Sequence, residues 1–170
     1  NTCVMKPPSV NSLTGLKFAE LVAALELPPG TVNIVTGPGG SVGTALASHP
    51  DVDLVGFTGS TETGRSIMAA ASPTIKKLVM ELGGKNPMLV LADVDLESAV
   101  MGAVRGCFAS AGQLCVSIER IYVHESLYDR FLSALVYATK AIRLGTRLDW
   151  SYDVGSLASA KQMATVEAHV

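Results

Sequence analysis

The sequence contains no long apolar run. A membrane-spanning helix needs about 18 consecutive apolar residues, and no stretch of the 170-residue chain approaches that length. The first residues also lack the charged and apolar regions of a signal peptide. The pattern therefore predicts no membrane contact, and three cysteines without a disulfide pattern predict a reducing, cytoplasmic setting.

Positive charge is scarce as well. The chain has 13 Lys and Arg against 15 Asp and Glu, which gives a net charge of −2 at pH 7. Without a basic face to neutralise phosphates, nucleic acid is excluded as an expected partner. Only 16% of residues are charged and 48% are hydrophobic, a balance typical of a well-buried α/β core rather than a disordered chain.

Cysteine is rare, with only Cys3, Cys107 and Cys115. An odd number without a C-x-x-C pair argues against a disulfide framework or a zinc site, so we expect no metal. Cys3 falls in a strand pattern and Cys107 in a helical stripe, and both are explained as core thiols. Cys115 fits neither pattern because it lies in a loop of small residues, where a thiolate could act as a nucleophile.

Short apolar runs alternate with helical patterns, which predicts an α/β fold of βαβ units on a parallel sheet. Because the strands are nearly all apolar, we expect helices on both of their faces. The predicted strands are 2–5, 32–35, 54–57, 78–81, 88–91 and 120–123, and the predicted helices are 13–25, one ending near 47, 60–71, 96–108, 127–142 and one starting near 159.

The pattern changes near Gly83 and Gly84, and we place a domain boundary there, between residues 1–82 and 83–170. The first residues read as the middle of a strand and the last as part of a helix. We therefore expect an internal piece of a longer protein, which folds poorly and is inactive in isolation because sheet edges and apolar helix faces would be exposed.

Two turns of small residues connect a strand to a helix. Residues 57–65 read F-T-G-S-T-E-T-G-R, and residues 37–43 read G-P-G-G-S-V-G. The free N–H groups and the dipole at a helix start favour an anion such as pyrophosphate, although an ordinary βα turn has the same composition. The second turn has G-x-G-x-x-x-G spacing, not G-x-G-x-x-G, so cofactor contact and a plain tight turn are equal alternatives there.

A carboxylate and a thiol are the candidate reactive groups. Glu81 opens E-L-G-G-K-N-P at the carboxyl end of a strand, where open α/β sheets place their ligands. Partial burial would raise the pKa of Glu81 toward that of a general base, while a surface Glu is the alternative. Cys115, in S-A-G-Q-L-C-V-S, is the candidate nucleophile.

Together, F-T-G-S-T-x-x-G-R, E-L-G-G-K-N-P and G-Q-x-C, in this order and spacing, resemble the aldehyde dehydrogenase superfamily over nearly the whole chain. The resemblance implies an aldehyde dehydrogenase-like fold. Residues 1–82 would be part of a Rossmann-type NAD(P)-binding parallel sheet, and residues 83–170 part of the α/β catalytic domain. It also implies oxidation of a small-molecule aldehyde to a carboxylic acid by a homodimer or homotetramer that uses NADP or NAD.

The resemblance assigns roles to single residues. Cys115 would attack the aldehyde carbon, and Glu81 would activate the water that hydrolyses the thioester. The implied cofactor contacts are Lys6 and Ser9 at the adenosine ribose, Gly39 and Gly43 in the first glycine-rich turn, Gly59, Ser60 and Gly64 at the pyrophosphate, and the Leu82 carbonyl at the nicotinamide amide.

Ser9 departs from the family pattern, because many NAD-preferring members carry Glu there. A neutral Ser beside the cation of Lys6 would not repel a 2′-phosphate, so the electrostatics favour acceptance of NADP alongside NAD. The stretch 112–123 is most similar to succinate-semialdehyde dehydrogenases. Two alternatives are a CoA-acylating relative, disfavoured by Glu81, and a non-catalytic binding or structural relative, disfavoured by the presence of both reactive residues.

Overall fold

A computed structural model describes residues 1–147 and 149–170. It divides into two compact units, Asn1–Leu82 and Gly83–Val170. Each unit consists of parallel strand pairs and helices, so the predicted α/β class is confirmed. The assignment of the units to a cofactor-binding and a catalytic domain stays a prediction.

The first unit holds four strands and three α-helices. β1 pairs with β2 and β3 with β4, both in parallel. Short helical turns cover Ser9–Asn11, Gly39–Gly43 and Ser72–Thr74. The elements are β1 (Cys3–Met5), α1 (Ser12–Ala23), β2 (Val32–Ile34), α2 (Thr44–Ser48), β3 (Leu54–Thr58), α3 (Thr61–Ala71) and β4 (Lys77–Glu81).

The strands of the first unit are more exposed than their apolar sequences predict. In the described part of the chain, β1–β2 and β3–β4 are separate two-stranded sheets. Val4, Leu54 and Val79 are about half exposed, and alternate residues of β3 and β4 lie open. The expectation of helices on both faces is therefore wrong for this unit, because successive side chains point to opposite faces and one face lies uncovered. Cys3 is also exposed, so it is not a core thiol.

Over its described residues, 83–147 and 149–170, the second unit holds two strands and three α-helices, with β5 parallel to β6. Helical turns cover Ala109–Gly112 and Glu125–Leu127, and Leu144 bridges to Val154. The elements are β5 (Asn86–Val90), α4 (Leu96–Phe108), β6 (Ile118–Val123), α5 (Tyr128–Lys140) and α6 (Ala160–His169).

The apolar stripe predicted in α4 forms the core of the second unit. Val100 and Ala103 are buried together with Val90 of β5 and Phe131 of α5. The helix begins where the sequence predicts, because Asp95 Oδ1 accepts a hydrogen bond from Ser98 N at 2.8 Å. Packing of α4 and α5 against β5 and β6 thus fixes the position of α4, which leads into the Cys115 loop. It also fixes β5 and β6, the strands that come before and after that loop in the sequence.

None of the helices in residues 1–147 and 149–170 is long and apolar enough to cross a membrane.

Candidate active site

Lys6 lies beside the glycine-rich turn that follows β2. Its half-buried ammonium donates to the carbonyl of the next residue at 2.8 Å and to Gly37 O at 3.5 Å. A Cβ on Gly43 would lie 3.8 Å from Lys6 Cε, and nothing lies within 4 Å of one on Gly39. Ser9 is exposed in the turn after β1. A cation thus stands next to an open backbone, which suits an anionic ligand.

The start of α3 carries the second predicted turn. Ser60 Oγ accepts from Thr63 N at 3.2 Å, as an N-cap does, and Ser60 O accepts from Gly64 N at 2.9 Å. The N–H groups of Thr61 and Glu62 have no intrahelical acceptor, as in every helix start. Gly59 N donates to Glu81 O at 3.0 Å, so Gly59 would serve an anion by having no side chain and not through its N–H.

Gly64 and Leu82 pack against each other. Gly64 is buried, and a Cβ at that position would lie 2.9 Å from Leu82 Cδ2. The absence of a side chain lets the residue after β4 lie against α3. Glu81, which ends β4, is nevertheless exposed. The expected partial burial of its carboxylate is wrong for this chain, because the strand ends at an open edge of the unit.

Cys115 is exposed on a hydrogen-bonded turn just before β6. Ser117 N donates to Leu114 O at 3.1 Å, which closes the turn around Cys115. Asn86 Nδ2 donates to Cys115 O at 2.7 Å and to Ser117 O at 2.9 Å. Ser117 itself is only 3% exposed. The exposed Cys115 thus lies on a turn that Asn86, the first residue of β5, holds in place through two hydrogen bonds.

The backbone leading into this turn is left-handed. Ser110, Ala111 and Gly112 have φ values of 52°, 57° and 71°, a region that costs about 1–2 kcal/mol for a non-glycine residue. Gln113 fastens the segment, because its Nε2 donates to Ser110 O at 2.9 Å and its Oε1 accepts from Ala158 N at 2.8 Å. Strained backbone of this kind is often found at functional sites.

The other thiols have different surroundings. Cys107 is half-buried in α4, and burial raises the pKa of its thiol. Cys3 is exposed like Cys115, so exposure alone does not single out the nucleophile. What distinguishes Cys115 is its turn, which is held by the Asn86 amide, and the left-handed segment before it, which is held by the Gln113 amide.

The predicted residues are divided between the two units. In the first unit, Glu81 ends a strand and the other predicted residues follow the carboxyl end of one, the edge where parallel sheets bind ligands. Lys6 lies beside the turn after β2, while Gly59 hydrogen-bonds Glu81 and Gly64 lies against Leu82 at the ends of β3 and β4. Cys115 lies in the second unit. Among residues 1–147 and 149–170, no cluster of His, Cys, Asp and Glu could hold a metal ion.

Sequence reasoning missed the roles of Asn86 and Gln113, although both lie within the quoted motifs. The only local signal for Asn86 is a polar side chain at the start of an apolar strand. Lys85, the residue before it, forms an exposed ion pair with Glu119 and so links β6 to the segment before β5.

Comparison with known proteins agrees with the motifs. The model of the aldehyde dehydrogenase family matches residues 1–170. Betaine aldehyde dehydrogenase 1 of Oryza sativa subsp. japonica is 47% identical over 161 residues, 95% of this chain and 32% of that protein. The NADP(+) succinate-semialdehyde dehydrogenase GabD of Escherichia coli (strain K12) is 43% identical over 169 residues, 99% of this chain and 35% of that protein.

Solved structures give the same picture. Betaine aldehyde dehydrogenase of Staphylococcus aureus, in complex with NAD+, superposes with a TM-score of 0.95 at 38% identity, over 99% of this chain and 33% of that one. The chain therefore spans about a third of the length of the proteins it matches.

Proposed function

The chain belongs to the aldehyde dehydrogenase family, and we propose that the protein containing it oxidises an aldehyde to a carboxylic acid with NAD(P). The observation that carries the proposal is the exposed Cys115 thiol on a turn fixed by hydrogen bonds. A nucleophile needs such access and a defined direction of attack. Glu81, exposed at the end of β4, is the proposed base.

Cys115 is proposed to open the reaction. Its thiolate adds to the carbonyl carbon, a C–S bond forms, and the π electrons of the carbonyl move to oxygen. The backbone N–H of Cys115 would donate to that oxyanion, and loss of one such donor costs about 3–4 kcal/mol in comparable sites. A nicotinamide ring, when bound, supplies the acceptor for the hydride of the same carbon. An acyl thioester then remains on the sulfur.

Glu81 is proposed to complete the reaction. Its carboxylate takes a proton from water as the oxygen attacks the thioester carbon, the C–S bond breaks, and carboxylic acid and thiolate are released. Because a base is required only in this second half, the two halves of the reaction can be separated by experiment. Glu81→Gln in the full-length protein should release about one NAD(P)H per site in a burst and then stop.

The decisive test of the nucleophile is Cys115→Ala in the full-length protein, with Cys3→Ala as the matched exposed thiol. Aldehyde-dependent NAD(P)H formation should disappear in the first variant, including the burst, and persist in the second. Steady oxidation by Cys115→Ala would refute the covalent mechanism. A strict requirement for CoA in the wild type would instead indicate the acylating alternative.

The cofactor site is proposed to lie at the carboxyl ends of the strands of the first unit. The N-terminus of the 11-residue α3, with Ser60 as its cap, favours a diphosphate through its free N–H groups and dipole. Lys6 beside Gly37 adds a positive charge. These residues fit the phosphate groups of NAD or NADP, and Gly39, Gly43, Gly59, Gly64 and Leu82 are proposed to line the same site.

Ser9 is proposed to allow both cofactors, with NADP accepted because the side chain is neutral. A Ser9→Glu variant would place a carboxylate near the adenosine ribose and repel a 2′-phosphate. The KM for NADP should then rise by about tenfold or more, a change worth about 1.4 kcal/mol, while the KM for NAD changes little. Equal changes for both cofactors would contradict this placement of Ser9.

Succinate semialdehyde is the proposed substrate. The support is the likeness of residues 112–123 to enzymes for that aldehyde, together with a relative named for it. A relative named for betaine aldehyde is 47% identical to this chain, against 43% for the one named for succinate semialdehyde. A panel that compares kcat/KM for both aldehydes, with NAD and with NADP, therefore tests the choice. A clear preference for betaine aldehyde would overturn it.

Assembly and location are also proposals. We expect the full-length protein to be a cytoplasmic homodimer or homotetramer. Light scattering during size-exclusion chromatography measures the assembly directly, and a monomeric mass for an active protein would contradict it.

A further inference from the structure

Asn86 is the first residue of β5 and lies where the register of the β5–β6 pair changes. Asn86 is opposite Ile118, whereas Pro87 is opposite Arg120, so Glu119 is an extra residue in β6. An irregularity of this kind redirects side chains at the end of a strand pair. Here the half-buried Asn86 amide is directed onto the turn that precedes β6.

Both hydrogen bonds that the Asn86 side-chain amide donates go to carbonyl groups of that turn. Nδ2 donates to Cys115 O at 2.7 Å and to Ser117 O at 2.9 Å, and an amide nitrogen has two hydrogens to donate. Within the described residues, no other side chain donates to these two carbonyls. The turn is otherwise closed by the single bond from Ser117 N to Leu114 O.

These bonds fix both peptide planes next to the Cys115 Cα. Leu114 O belongs to the peptide before Cys115, the one that carries the Cys115 N–H, and Cys115 O belongs to the peptide after it. Because peptides are planar, holding both oxygens fixes the two backbone dihedrals of Cys115. The direction of its Cα–Cβ bond and that of its N–H then follow.

We infer that Asn86 is a positioning residue for aldehyde oxidation, which together with the bond from Ser117 N to Leu114 O sets the directions of the Cys115 Cα–Cβ bond and the Cys115 N–H. The inference rests on the proposed function. Misplacement of a reacting group by about 1 Å can lower a rate by roughly 100-fold. Asn86 acts through Cys115 and not on the free aldehyde, so its loss should lower kcat and leave KM little changed.

The experiment uses Asn86→Asp and Asn86→Ala in the full-length protein. Asp keeps the shape but at neutral pH presents two acceptor oxygens to two carbonyls, while Ala removes the group. Asn33 offers a matched control, because its Nδ2 also donates to two carbonyls, Cys3 O at 3.2 Å and Gly30 O at 2.8 Å. Those bonds lie at the amino ends of β1 and β2, in the other unit.

Three readouts separate positioning from stability: the NAD(P)H burst in a single turnover, kcat and KM in steady state, and the thermal midpoint. Both Asn86 variants should lose about 30–100-fold in the burst rate, with KM within roughly threefold of wild type. The corresponding Asn33 variants should retain the burst. The burst rate of Asn86→Ser, which keeps one donor, should lie between that of the wild type and those of the other two variants. This variant provides the test if the other two do not fold.

Burst rates within about threefold of wild type in the Asn86 variants would overturn the inference, as would an equal loss in the Asn33 variants. Cys115→Ala tells the two proposals apart. If that variant still oxidises aldehyde, the proposed function fails. If it is inactive while the Asn86 variants react at the wild-type rate, only the positioning role fails.

Discussion

Gly106 lies on α4 at the point where this helix meets the first residue of β6. A Cβ on Gly106 would collide with Ile118 Cδ1 and lie 2.9 Å from Ile118 Cγ1. Ile118 lies three residues after Cys115, directly after its turn, and pairs with Asn86. Gly106→Ala should therefore displace Ile118 and, with it, the turn that carries the thiol.

Two opposing terms set the size of the effect on stability. Overpacking of this kind costs about 1–3 kcal/mol, whereas Ala in place of Gly within a helix stabilises by about 1 kcal/mol. We expect a net loss of about 0–2 kcal/mol from Gly106→Ala. Gly102 is a control in the same helix, since its Cβ would lie 4.0 Å from Met88 Cε, so Gly102→Ala should stabilise by about 1 kcal/mol.

A double-mutant cycle with Ile118→Ala isolates the collision. That change removes Cγ1 and Cδ1 and leaves Cβ, which would lie 3.7 Å from the new methyl, an ordinary contact. Gly106→Ala should then be about 1–3 kcal/mol more favourable in the Ile118→Ala background than alone.

The assay is urea denaturation of the full-length variants, with the single-turnover burst measured beside it. Gly106→Ala should lower the burst rate and Gly102→Ala should not. The reasoning is refuted if Gly106→Ala stabilises the protein as much as Gly102→Ala, or if the cycle shows no coupling between Gly106 and Ile118.

Three further predictions concern capping, charge and backbone strain. Ser60→Ala removes the bond to Thr63 N and should lower the free energy of unfolding by about 1 kcal/mol, as measured by urea denaturation. Arg143 hydrogen-bonds Asp153 and lowers the pKa of that carboxyl from 3.8 to about 2, so their pairing stabilises the fold above pH 4 and is lost as the pH falls toward 2. Arg143→Ala should raise the pKa of Asp153 toward 3.8 in an NMR titration, and an unchanged value would contradict the pairing. Ala111→Gly relieves a left-handed φ of 57° and should stabilise by about 1 kcal/mol in the same urea assay; a destabilised variant would mean that the backbone there is not strained.

The sequence by itself determined the features that depend on neighbours along the chain. The helix starts at Ser60, Asp95 and Ser159 were predictable because a cap bonds to an N–H three residues on, and each cap makes that bond. The apolar stripe of α4 predicted its buried face for the same local reason. Parallel pairing followed from the alternation of strands and helices, and the positions of Lys6 and Glu81 at strand ends followed from it.

Only the tertiary structure decided what depends on distant parts of the chain. β6 begins at Ile118, two residues before the predicted start, because Ile118 pairs with Asn86. The sequence also did not predict the exposure of Glu81 and of the strands in the first unit, because the residues of a strand do not specify which other segments cover them. The amide of Asn86 reaches Cys115 O across 29 residues of chain. A hydrogen bond depends on distance and direction in space, and no local pattern of residues encodes a contact between segments so far apart in the sequence.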